Sequence, residues 1–132
     1  MIEYGLWCFL DERGRNVIIE WAREDKLTTR DRAALNNKTK RLAQMDYDLA
    51  VKTKLLAGPI HGHVYKLVIH GDIMLRPMLC RGPISNETEY TFLLGAAETG
   101  GKLPSGSKEK AAERREVILN DRNRRCKYQR IP

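Results

Sequence analysis

Long hydrophobic runs are missing from this chain. No apolar stretch approaches the roughly 20 residues that span a bilayer, so no membrane partner is expected. Cysteine is scarce: Cys8, Cys80 and Cys126 are widely spaced and odd in number, and no C-x-x-C occurs. That argues against a disulfide framework or a structural zinc site as the organising device and makes a reducing cytoplasm the default expectation. The opening MIEYGLWCFLDERG carries an acid at position 3 and no basic leader, so it does not read as a signal peptide. Histidine is limited to His61, His63 and His70. The His61-Gly-His63 pair has no third acidic or thiol ligand beside it, so neither a metal nor a cofactor is expected.

Acidic charge is in deficit. The chain has 24 Lys/Arg against 17 Asp/Glu, a net charge of +7. The excess gathers at the end: Lys108, Lys110, Arg114, Arg115, Arg122, Arg124, Arg125, Lys127 and Arg130 face only Glu109, Glu113, Glu116 and Asp121. A basic end of this kind suits a polyanion such as nucleic acid, or an acidic protein; the plainer reading is a solvated tail that aids solubility. With 132 residues and 42% hydrophobic content, the chain has the size and composition of one globular domain.

Tyr4–Leu10, aromatic and apolar, predicts a first strand. Asn16 is a fair N-cap for VIIEWARED, in which Ile18, Trp21 and Ala22 share a helical face. TTRD fits a capping box, with Thr28 as cap and Asp31 reaching back, and opens a helix to about Met45. The segment DYDLAVKTKLLAGPIHGH is less periodic and is broken at Gly58-Pro59. From Val64 the period becomes two. Strands are predicted over Val64–Ile69, Ile73–Leu79 and Glu89–Leu94, with RGPISN as a loop. Ser107 caps a last helix, KEKAAERREVIL. The tail from 120 to 132 has no apolar face and is read as ordered only on binding. The order β-α-α-β-β-β-α predicts an α+β domain over 1–119: a small antiparallel meander with two N-terminal helices and one C-terminal helix on one face.

Within KLVIHGDIMLRP, side-chain sorting sets the register. A two-residue Gly71-Asp72 loop mixes core residues and cations on both faces. A three-residue His70-Gly71-Asp72 loop puts Tyr65, Leu67, Ile69, Ile73, Leu75, Pro77 and Leu79 on an uncharged face. Val64, Lys66, Val68, Met74, Arg76 and Met78 then form the other. That register sets Lys66 directly opposite Arg76 on an open face. Such a like-charge pair is mildly unfavourable until an anion, such as a phosphate, joins it. The alternative is that both cations snorkel to solvent over Val and Met.

Three stretches together resemble the RelE/ParE toxin superfamily, its HigB-like, phage-derived Gp49-like branch in particular. FLDERGRNVIIEW resembles the opening strand, turn and first helix. LLAGPIHGHVYKLVIHGDIMLRPMLC resembles the loop and hairpin, and YTFLLGAAETGGKLPSGSKEKAAERR the last core strand, Lys-x-Pro loop and final helix. The resemblance implies a RelE-like fold with a concave basic sheet face. It also implies a type II toxin that cuts mRNA, on or off the ribosome, with the RNA 2′-hydroxyl as nucleophile and no metal. A cognate antitoxin with a helix-turn-helix pattern is the implied protein partner. The implied catalytic set is Arg76, His63 and Tyr128. Lys66, His70, Arg81, Lys102, Arg124 and Arg125 are the implied RNA contacts. Arg76 sits where the family has the Arg of R-V-L-Y, whereas Lys66 falls on the position of the acid in the ELR-like strand. The family's lysine pair after the third strand is Glu98 and Thr99 here. That departure favours an alternative: a noncatalytic phage or prophage module of the same fold that binds RNA or protein. A third reading is an α+β adaptor whose basic tail docks an acidic partner.

Overall fold

The computed structural model describes residues 3–132, so the first two residues of the expected 1–119 domain lie outside it. Strand β1 (Gly5–Phe9) leads into α1 (Val17–Glu24), which Asn16 caps by accepting from the Ile18 and Ile19 amides. Helix α2 (Thr29–Leu42) starts at Thr28, whose hydroxyl accepts from the Asp31 amide. A short α3 (Tyr47–Lys52) and strand β2 (Leu56–His61) fill the segment that reads as aperiodic. Then come β3 (Val64–Leu67), β4 (Ile69–His70), β5 (Met74–Leu75), β6 (Met78–Arg81), β7 (Glu89–Leu94) and β8 (Ala97–Glu98). Helix α4 (Ser107–Asn120) and strand β9 (Arg125–Lys127) complete the chain.

The class is α+β, and most strand pairs are antiparallel. The main sheet has the order β2-β3-β6-β7-β1-β9, and a small sheet has the order β4-β5-β8. The expected three-strand meander corresponds to β3-β6-β7, with β2 added at the β3 edge, while β4 and β5 of the predicted hairpin split off into the small sheet. The meander is extended by β1, which runs parallel to β7, and by β9, antiparallel to β1. No helix is long and apolar enough to cross a membrane among the described residues.

Helices cover both faces of the main sheet, not one. On one face Tyr90 donates to the Met45 carbonyl in the turn between α2 and α3, and Tyr65 meets Tyr47 of α3. On the other, α4 packs against β7, β6 and β3; Arg114 donates to the Leu93 carbonyl and lies over the Phe9 ring. Ala111 and Ile118 of α4 are fully buried, so the face expected to be open is largely occupied. The apolar members of that face explain the closure. Val64, Met78, Cys80 and Leu93 lie on it, and leaving them in water would forfeit on the order of 25 cal/mol per Å².

The hairpin keeps the predicted sorting but not the predicted pairs. His70 pairs with Met74 and Ile69 with Leu75, so the loop is Gly71-Asp72-Ile73. Lys66 therefore faces Met78, not Arg76. The slip is two residues, which keeps the side chains of the paired residues on their expected faces, whereas Ile73, expected on the uncharged face, falls in the loop and is exposed. The loop is fixed from outside. The Asp31 carboxylate accepts from the Asp72 amide at 2.7 Å, and the Thr28 hydroxyl donates to the Asp72 carboxylate at 2.8 Å. Asp31 thus anchors the hairpin instead of closing a capping box. Gly71 is required there because a Cβ would run into that carboxylate.

The tail is part of the fold, which corrects the boundary expected at 119. Its strand β9 pairs with β1, and beyond it Ile131 is buried. Asn36 of α2 holds Ile131 as a neighbouring strand would: its side-chain amide donates to the Ile131 carbonyl and its oxygen accepts the Ile131 amide, both at 2.9 Å. Asn36→Ala is expected to free residues 128–132 at a cost of about 1–3 kcal/mol. Amide exchange at Ile131 should accelerate at least tenfold; unchanged protection would count against the clamp.

Candidate nucleic-acid interface

The predicted site residues do not converge. Lys66 and Arg76 do meet, but around an internal anion. Glu98 of β8 accepts from Lys66 Nζ at 2.8 Å and from Arg76 Nε at 3.1 Å through the same oxygen. Arg76 also donates through Nη1 to the Ile69 and Leu75 carbonyls, at 3.0 and 2.7 Å, and the residue is only 7% exposed. The Lys66 hydrogen bond, followed by the charges of Lys66 and Arg76, holds the Glu98 carboxyl below the usual range. Glu98 reads in the sequence as a lost lysine. In the fold it is the anion that Lys66 and Arg76 share.

The other predicted residues are dispersed. His63 lies exposed in the Gly62-His63 turn between β2 and β3, and His70 is exposed with Nδ1 3.3 Å from the Met74 sulfur. Lys102 is exposed in the turn where it exchanges backbone bonds with Thr99. Arg81 lies with its guanidinium carbon 4.2 Å from the centre of the Tyr47 ring, in a cleft shared with Tyr4, Tyr90, Asp46, Asp48 and Glu87. Tyr128 follows β9, four strand steps and so roughly 20 Å from β3. Its hydroxyl donates to Asn36 at 2.9 Å, its ring stacks near Phe92, and burial pushes the phenol up to about 12. A phenol so committed is no proton donor for a reaction beside Arg76.

What the fold does assemble is a row of cations on aromatic rings. Trp7 and Phe9, two residues apart on β1, project from the same sheet face. Opposite them β9 places Lys127 and Arg125. The Arg125 guanidinium lies 4.0 Å and the Lys127 ammonium 5.7 Å from the Trp7 ring centre. Arg114 from α4 and Arg124 both lie 5.2 Å from Phe9. Beside them is a cleft of about 340 Å³ of mixed charge, to which Arg13 and Lys110 but also Asp11, Glu12 and Glu113 contribute. A ring face fixes a cation without neutralising it, whereas a carboxylate removes its charge. Arg125 is of the second kind: it also pairs with Glu89 at 2.5 Å. Arg114, Arg124 and Lys127 form no ion pair among the described residues, although the charges of Asp11 and Glu113 act on Arg114.

No family model, curated protein or solved structure matches the chain. The interface therefore rests on its own geometry. By charge alone, Arg114, Arg124, Arg125 and Lys127 stand in the sequence as undistinguished members of the basic end. Sequence reasoning missed Trp7 and Phe9, although their i, i+2 spacing in a predicted strand puts both on one face. It also missed Glu89 and Asn36, whose partners are distant in sequence.

Proposed function

We propose that the chain binds single-stranded RNA without cutting it, as a noncatalytic relative of the RelE/ParE superfamily. The cations fixed over Trp7 and Phe9 carry this reading. They form a strip along β1, β9 and the adjoining side of α4, and phosphate contacts of this type dominate nucleic-acid affinity. Binding is favoured over cutting by the state of Arg76. The guanidinium that the resemblance assigns to catalysis spends its donors on Glu98 and two carbonyls.

Fluorescence anisotropy with a labelled single-stranded RNA, from about 50 to 200 mM salt, tests this directly. Affinity should fall steeply with salt. Arg124→Ala and Lys127→Ala should each weaken binding severalfold and reduce the salt slope by about 1. Gel analysis of the same RNA should show it intact. Absence of binding at low salt, or indifference to both substitutions, overturns the assignment. Arg76-dependent cleavage would instead support the nuclease reading.

A further inference from the structure

The pairing of β1 with β9 has a second consequence on the opposite side of the same strands. It brings together two of the three cysteines. Cys8 and Cys126 are direct partners in the antiparallel register. The Leu10 amide donates to the Arg124 carbonyl at 2.9 Å and the Tyr128 amide to the Leu6 carbonyl at 2.8 Å. Those bonds lie two residues to either side, so Cys8–Cys126 is itself a hydrogen-bonded pair. Such pairs have Cα atoms about 5.5 Å apart, which lies within the range that disulfides bridge. Cβ atoms of a hydrogen-bonded pair are about 5.5 Å apart, so closing the bond needs a movement of roughly 1–2 Å by a three-residue edge strand.

We propose that Cys8 and Cys126 form a reversible thiol–disulfide site that staples the C-terminal strand to β1. Cys126 is half-buried and is the entry point; the Asn16 amide donates to its sulfur at 3.6 Å. Its thiolate attacks one sulfur of a small disulfide and expels one thiolate. The Cys8 thiolate, exposed as the short edge strand opens, then attacks Cys126 Sγ and expels the second. Two protein thiols lose two electrons and two protons, and the donor disulfide is reduced to two thiols. Burial raises both protein thiols above the usual range, so exchange is slow near neutrality and accelerates as pH rises. The ring so closed contains nearly the whole chain, and it fixes the strand that carries Arg125 and Lys127. The bond itself does not depend on the RNA reading.

The test treats the full chain with glutathione disulfide and follows it by intact mass, thiol titration and peptide mapping. The expected product has lost two hydrogens, keeps one titratable thiol at Cys80, and yields a Cys8–Cys126 linked peptide. Its unfolding midpoint should rise by on the order of 10 °C, and dithiothreitol should reverse this. Cys126→Ser should abolish the product and Cys80→Ala should leave it unchanged. A glutathione adduct that never resolves, an intermolecular disulfide, or three persistent thiols overturns the proposal. Each of these outcomes is read on the wild-type chain whether or not the variants fold.

Discussion

Arg76→Ala is expected to lower the unfolding free energy by about 3 kcal/mol. Arg76 is buried between β5 and β6, where its side chain serves three acceptors: the Glu98 carboxylate and the Ile69 and Leu75 carbonyls. Alanine leaves both carbonyls without this donor and removes a guanidinium's volume. Glu98 keeps Lys66, which is why the cost falls short of that of stranding a carboxylate outright. Urea unfolding of the two proteins measures the difference. The carboxyl of Glu98 is held below its unfolded value of 4.5. Its contribution is therefore full above that value and is lost as pH falls through the lower folded value. The gap between wild type and Arg76→Ala should narrow over the same acid range. A variant as stable as wild type that had lost an RNA-directed activity would return Arg76 to the role the resemblance gives it.

Arg125→Ala should be more costly, about 3–5 kcal/mol. The Arg125 side chain is 8% exposed, and Glu89 beneath it 10%. Glu89 accepts from both guanidinium nitrogens and from the Ile84 amide, and Arg125 also covers Trp7. Removing the arginine strands a buried carboxylate and loosens β9 from β1 together. Lysine should rescue only in part, because one ammonium cannot reproduce the forked geometry. Replacing both partners by apolar residues of similar volume should recover most of the loss. Lys127→Ala, two residues on and exposed, is the control: it should change stability by no more than about 0.5 kcal/mol while weakening RNA binding. A loss of stability at Lys127 equal to that at Arg125 would contradict this division between a structural and a free cation.

These two arginines mark where reading the sequence stops. Both are visible as cations placed for an anion. What is invisible is that the anion is already in the chain. Glu98 is 22 residues beyond Arg76 and Glu89 is 36 before Arg125, and no local periodicity links either pair. Where partners are near, local patterns suffice. Asn16 and Thr28 cap the helices they precede, and the β7 strand falls at Glu89–Leu94 as alternation predicts. The hairpin loop lies between these cases. Alternation sorts its faces but is blind to a slip of two, and the bond from Asp72 to Asp31, 41 residues away, selects the loop.

The sequence by itself determined the α+β class, the principal helices, the extended character of the hairpin though not its division between two sheets, and a basic C-terminal end. These follow from side-chain period, caps and turn residues, which act over a few positions. Only the tertiary structure decided that α4 covers the second sheet face and that the tail is a strand. It also decided that Lys66 and Arg76 are paired from within, while Arg114, Arg124 and Lys127 form no ion pair among the described residues. Burial and ion pairing depend on which segments meet. That is decided when the apolar area of the whole chain is packed, not by the residues on either side of a given cation.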